Sequence, residues 1–128
     1  MRVPLIAGNW KMYKTIAEAE ALIAALLPRV SSAQRTEIAI CPPFTALQAM
    51  VDSTRGSRVA VYAQNMHQAA EGAYTGEVSA PMLDEIGVSG VLLGHSERRE
   101  LCDETDKALA LKVPAALEAG TLLSLIHI

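Results

Sequence analysis

Apolar residues in this chain come in short continuous runs, separated by longer stretches with helical spacing. Residues 3–7 ahead of Gly8, 37–41 stopped by Pro42-Pro43, 59–63, and 90–93 closed by Gly94 each read as a buried strand. Between them lie amphipathic segments. Thr15 and Glu18 form a capping box, after which Ile16, Ala19, Leu22, Ile23, Leu26 and Leu27 recur on one helical face. Pro28 is expected to end that helix or sit in its last turn, because an interior proline costs ~3 kcal/mol. A short helix is expected from about Thr45 to Thr54, a third from Ser79 and Pro81 to Gly87, and a last from Thr105 to near Gly120. The rhythm is β-α four times over, with strands beginning near residues 2, 37, 58 and 90.

Strands that are nearly all apolar and alternate with helices imply a parallel sheet covered on at least one face. An open flavodoxin-like sheet and part of a (β/α)₈ barrel fit this pattern equally well. The open sheet needs a fifth strand and helix to complete it, and the expected elements stop after the fourth helix.

In parallel α/β folds the working residues collect just past the C-terminal ends of the strands. Here those positions hold Asn9, Trp10 and Lys11; Cys41 and Pro42; Gln64, Asn65 and His67; and His95, Ser96 and Glu97. Such a set suits one small polar, anionic ligand. His95 opens a short polar helical stretch, 96–100, where the helix N-terminus disfavours imidazolium and favours a neutral, hydrogen-bonding ring. A capping histidine explains the same position equally well. Lys11 also reads as a solvated loop lysine, Asn9 as an Asx turn and Glu97 as an exposed first-turn carboxylate. Trp10 reads as a packing residue and His67 as a loop residue. Cys41 and Cys102 have no metal-ligand spacing, and no nucleotide-phosphate or zinc motif appears.

Composition narrows the class further. In 128 residues, 51% are hydrophobic and 20% charged, enough apolar mass for one domain's core and too little charge for disorder. The formal net charge of -3 argues against nucleic acid as a partner. No apolar run approaches the ~18 residues of a membrane span, and no signal peptide opens the chain. A cytoplasmic protein is the expectation.

Several motifs together resemble the triosephosphate isomerase family. They are GNWKM at 8–12, CPPF at 41–44, AQNMH at 63–67, AYTGEVSAPML at 73–83, GHSERRE at 94–100 and ETDKALALKVPAALEAG at 104–120. The matches keep their order and gaps across about residues 3–120. The resemblance implies a TIM barrel, (β/α)₈, of which this chain supplies the first four β/α units as a half-barrel over residues 1–122. It implies interconversion of dihydroxyacetone phosphate and glyceraldehyde 3-phosphate through an enediolate, in glycolysis and gluconeogenesis, without metal or organic cofactor. By the same resemblance His95 is the neutral electrophile, Lys11 faces the phosphate and the enediolate charge, Asn9 positions substrate oxygens, and Glu97 pairs with Lys11. Residues 64–79 resemble the long loop through which two subunits interlock in a homodimer, with Thr75 reaching toward the partner's active site. The family's general base is a glutamate after strand 6, and its lid comes from units 6–8. The 128-residue polypeptide is therefore expected to be inactive by itself. A non-catalytic interaction module or a phosphate-binding flavodoxin-like domain is the alternative.

Residues 123–128, LSLIHI, resemble a translation of CTG TCT CTT ATA CAC ATC, a transposase end used in sequencing libraries, and are expected to be a non-native tail, with a genuine strand 5 of altered sequence as the alternative. Strands 1 and 4 are then expected to be open edges prone to aggregation. Two departures from the family pattern stand inside the matched region. Pro114 removes the bond to the carbonyl of Ala110 and is expected to kink its helix. Cys102 stands where the family usually carries an aromatic residue.

Overall fold

The computed structural model describes residues 2–125. The first strand, β1, runs Leu5–Asn9, two residues later than the apolar run that marks it. β2 (Glu37–Cys41), β3 (Val59–Ala63) and β4 (Gly90–Leu93) coincide with their apolar runs. A further strand, β5 (Leu122–Leu125), follows. All pairings are parallel and the order is β1-β2-β3-β4-β5, with Leu5 opposite Glu37, Ala39 opposite Ala60, Tyr62 opposite Gly90, and Gly90 opposite Leu122.

β5 corrects the expectation of four strands with β4 at an open edge. β4 has backbone groups to satisfy on both sides, and the apolar run at 122–125 supplies a ladder on the second. Such pairing is indifferent to how that run arose; residues 126–128 of the expected non-native tail lie outside the described residues. The edges are β1 and β5. A fifth strand is also what an open flavodoxin-like sheet would need, yet the order excludes that fold. A flavodoxin-like sheet runs 2-1-3-4-5 and reverses direction at a switch point, whereas here each strand is added beside its predecessor, as in a barrel. The four expected β/α units are present, with β5 beginning a fifth.

The helices are α1 (Ile16–Val30), α2 (Leu47–Thr54), α3 (Ala80–Ile86), α4 (Ser96–Leu101) and α5 (Asp106–Glu118), with a 3₁₀ turn at Phe44–Ala46. Their ends follow local chemistry. Thr15 and Glu18 close the capping box, the Thr15 amide donating to Glu18 Oε1 at 3.1 Å and the Glu18 amide to Thr15 Oγ1 at 3.4 Å. The Thr15 amide, and the Thr15 hydroxyl at 2.9 Å, donate to the Glu18 carboxyl and hold it below the usual carboxylate range. Pro28 lies in the last turn of α1, and Pro81 in the first of α3. α3 stops at Gly87, whose φ of +86° is the left-handed conformation glycine adopts without a Cβ penalty. α5 continues through Pro114 to Glu118.

Alternation along the strands separates two layers. Ile40, Val59, Val61, Ala63, Val91 and Leu93 pack against the helices through Ala19, Ile23, Leu47, Met50, Leu83 and Leu109. Trp10 packs on this cluster, as its reading as a packing residue anticipates. Ala39, Cys41, Tyr62 and Leu92 form a smaller cluster on the opposite face. β1 differs from the buried strand expected: Leu5 is 39% and Ile6 65% exposed, because an edge strand has a neighbour on one side only. No described helix is long and apolar enough to cross a membrane.

Candidate active site

Parallel strands bring all their C-terminal ends to one side of the sheet, so residues distant in sequence meet there. A cleft of about 490 Å³ opens at that side, lined among others by Asn9, Lys11, Gln64, Asn65, His95 and Glu97.

Asn9 ends β1, and its Oδ1 accepts the backbone N–H of Lys11 at 2.9 Å. That bond steadies a turn in which Lys11 has φ +55°, a left-handed conformation that costs a non-glycine residue on the order of 1 kcal/mol. Gln64 holds the turn from the other side. Its Nε2 lies 2.8 Å from the Lys11 carbonyl, 2.7 Å from the Cys41 carbonyl and 3.4 Å from Asn9 Oδ1. Two amide protons serve three acceptors, so one side chain ties together the ends of β1, β2 and β3. Gln64 is visible in the sequence as a polar residue after a strand, but nothing local marks it as the tie.

Lys11 Nζ donates to Glu97 Oε1, bridging β1 to the start of α4. The bond and charge of Glu97 raise the Lys11 ammonium above the usual lysine range, and the Lys11 bond holds the Glu97 carboxyl below its own. Both side chains are about half exposed, so the pair contributes mainly orientation.

His95 is the N-cap of α4. Its Nδ1 accepts the Glu97 backbone N–H at 3.2 Å. An accepting Nδ1 carries no proton, so the ring proton belongs on Nε2, leaving a neutral donor for the cleft. The capping and the chemical readings of His95 are therefore compatible: the cap selects the tautomer. Glu97 Oε2 also lies 3.6 Å from Nδ1, a contact between two acceptors while the ring is neutral.

Behind α4 sits a buried charged cluster that the sequence pattern conceals. Glu104 Oε2 accepts from Arg98 Nε at 3.0 Å and from Lys112 Nζ at 2.9 Å; Lys112 Nζ also donates to Asn65 Oδ1 at 2.9 Å. Glu104 Oε1 is buried with no hydrogen-bond partner among the described residues. Burial pushes the Glu104 carboxyl up, but the hydrogen bonds and charges of Lys112 and Arg98 outweigh it and hold it below the usual range.

Other residues stand apart from the cleft or lack a reactive form. His67 stacks on Tyr74, its centroid 4.1 Å away, and caps its own loop by accepting the Ala69 N–H. Thr75 is exposed on the same loop. Burial pushes the Cys41 thiol up to about 12, leaving it protonated, and Cys102 is exposed at the lip of the cleft. No cluster suited to a metal ion is present among the described residues.

The family model for triosephosphate isomerase matches residues 4–125. The triosephosphate isomerase of Solibacter usitatus is 54% identical over 120 residues, covering 94% of this chain and 48% of that protein. That of Symbiobacterium thermophilum is 50% identical, covering 95% and 48%. The crystal structure of triosephosphate isomerase from Bartonella henselae superposes with a TM-score of 0.89 at 40% identity, over 97% of this chain and 51% of that one. The chain spans about half the length of the relatives it matches.

Proposed function

The chain belongs to the triosephosphate isomerase family, and from that premise we propose that it is the N-terminal half of an enzyme interconverting dihydroxyacetone phosphate and glyceraldehyde 3-phosphate. One observation carries the proposal: Asn9, Lys11, His95 and Glu97 line a single cleft, with Lys11 paired to Glu97 and His95 capped through Nδ1. His95 Nε2–H polarises the substrate carbonyl and moves a proton between the two enediolate oxygens. Lys11 offsets the negative charge of the phosphate and of the developing enediolate, an interaction that strengthens as water is excluded. Asn9 orients the substrate oxygens, and Glu97 holds the Lys11 ammonium in position. Neither a metal nor an organic cofactor enters this scheme. A cytoplasmic homodimer, with Thr75 directed at a neighbouring subunit's site, belongs to the same proposal.

The base that removes the carbon-bound proton is, by family pattern, a glutamate after strand 6. The 128-residue chain alone therefore lacks it, a loss on the order of 10²–10⁴-fold or more. The test joins residues 1–120 in frame to the second half of the Solibacter usitatus relative. This completed barrel is expected to interconvert the triose phosphates in a coupled assay, while the 128-residue chain shows no turnover above an isomerase-free background. Turnover by the short chain would remove the need for that base; a folded but inactive completed barrel would sink the enzymatic proposal.

The exposed loop carrying Thr75, together with exposed Met12, Tyr13 and Leu101, favours a second role as an interaction half. In that role the tagged chain retains an intact family subunit through a salt wash, and Thr75→Arg abolishes the retention.

A further inference from the structure

α4 bears His95 at its N-cap and Glu97 in its first turn, yet it spans only Ser96–Leu101 and buries none of its residues. Leu101, its last apolar residue, is 80% exposed. So short a helix has little intrinsic stability, and this one has no apolar face to dock. Polar anchors must hold it.

Two adjacent arginines provide them in different directions. Arg98, in the wall of the cleft, pairs with the buried Glu104. Arg99 reaches back: its Nε donates to the Gly94 carbonyl at 3.3 Å, and its Nη1 pairs with Asp106 Oδ1, at the first residue of α5, at 2.6 Å. The Arg99 backbone N–H also donates to the His95 carbonyl at 3.2 Å. One residue thus holds the carbonyls on both sides of the His95 N–Cα–C unit. Gly94 needs the help. It has φ +74° and no Cβ to restrict rotation of the peptide that leads into His95. A guanidinium is a rigid fork whose donors hold fixed directions, which a flexible ammonium does not reproduce.

We propose that Arg99 is a positioning residue that tethers the Gly94–His95 peptide to the start of α5 and so sets the direction of the His95 imidazole. The tether is partly solvated, with Arg99 25% and Asp106 89% exposed as side chains, so it contributes more to orientation than to stability. Its catalytic consequence rests on the proposed isomerase activity; its structural claim does not.

The test uses the completed barrel with ¹⁵N-labelled histidine. Unsubstituted protein is expected to show His95 as one neutral tautomer, protonated at Nε2. In Arg99→Met the tautomers mix, and kcat falls by about tenfold or more while KM changes little, since misplacing a catalytic group by about 1 Å can cost ~10²-fold. Arg99→Lys, which keeps the charge without the fork, recovers only part of this. Should Arg99→Met fail to fold, Asp106→Ala removes the acceptor at the far end of the tether and is expected to mix the tautomers too. Mixed tautomers without isomerase activity in any variant would sustain the positioning role and sink the enzymatic proposal. Wild-type histidine signals and kcat in the folded Arg99 variant, or in Asp106→Ala where Arg99→Met is unfolded, would overturn the tether.

Discussion

In the completed barrel, Lys11→Met is expected to lower kcat/KM by on the order of 10³-fold while the protein stays folded. Two cations line the cleft among the described residues, Lys11 and Arg98, and the Arg98 guanidinium is committed to Glu104. In the proposed function Lys11, half exposed in its pair with Glu97, is the cation that meets the anionic substrate. Methionine keeps the length of the side chain and removes its charge, leaving Glu97 to repel the substrate. Steady-state kinetics and the affinity for a triose-phosphate analogue should both suffer. A loss of only a few fold would show that another cation supplies the charge.

The same pair makes a prediction about pH. Lys11 is raised above the usual lysine range, so it gives up its proton only at still higher pH; Glu97 is lowered, so it takes one up only at still lower pH. Both stay charged across neutrality. Replacing Glu97 by glutamine is therefore expected to leave the shape of the kcat/KM profile unchanged near neutral pH, even where its height falls.

The largest stability effect is expected from Glu104→Gln, a loss of about 3–5 kcal/mol in urea unfolding of the completed barrel. Glu104 and Lys112 are 7% and 6% exposed, and removing the carboxylate's charge leaves a buried ammonium facing only neutral oxygens, those of Asn65 and the new amide. The double variant Glu104→Leu with Lys112→Met removes both charges and should recover much of the loss. The sign of the acid dependence follows from the carboxyl's lowered titration. The unfolded chain takes up the proton first as pH falls, so the stabilisation is complete above the ordinary carboxylate range and is lost as pH drops through the lower folded value. Glu104→Gln should accordingly unfold with a weaker pH dependence in that acid window. A single variant as stable as the wild type would mean that water already compensates Lys112.

The elements that local chemistry specifies are legible in the sequence alone. An apolar run bounded by Pro42-Pro43 makes β2, Thr15 with Glu18 starts α1, Thr105 starts α5 by accepting the Ala108 N–H, and Gly87 ends α3. Each depends on residues a few positions apart. Asn9, Lys11, His95 and Glu97 were likewise marked by lying at strand ends, because a parallel sheet delivers every strand end to one side.

Other features depend on partners that sequence distance hides. Lys112 reads as an ordinary helical lysine, yet it meets Asn65, 47 positions away, and its burial follows from that meeting. Gln64 acquires its role only when β1 and β2 bring two carbonyls to its amide. β5 is a strand because β4 offers it an open ladder. The units, their caps and the chemical inventory are short-range preferences of the chain and can be read residue by residue. Tertiary structure decided which donors meet which acceptors and which charges are buried, since those energies exist only between segments that folding brings together.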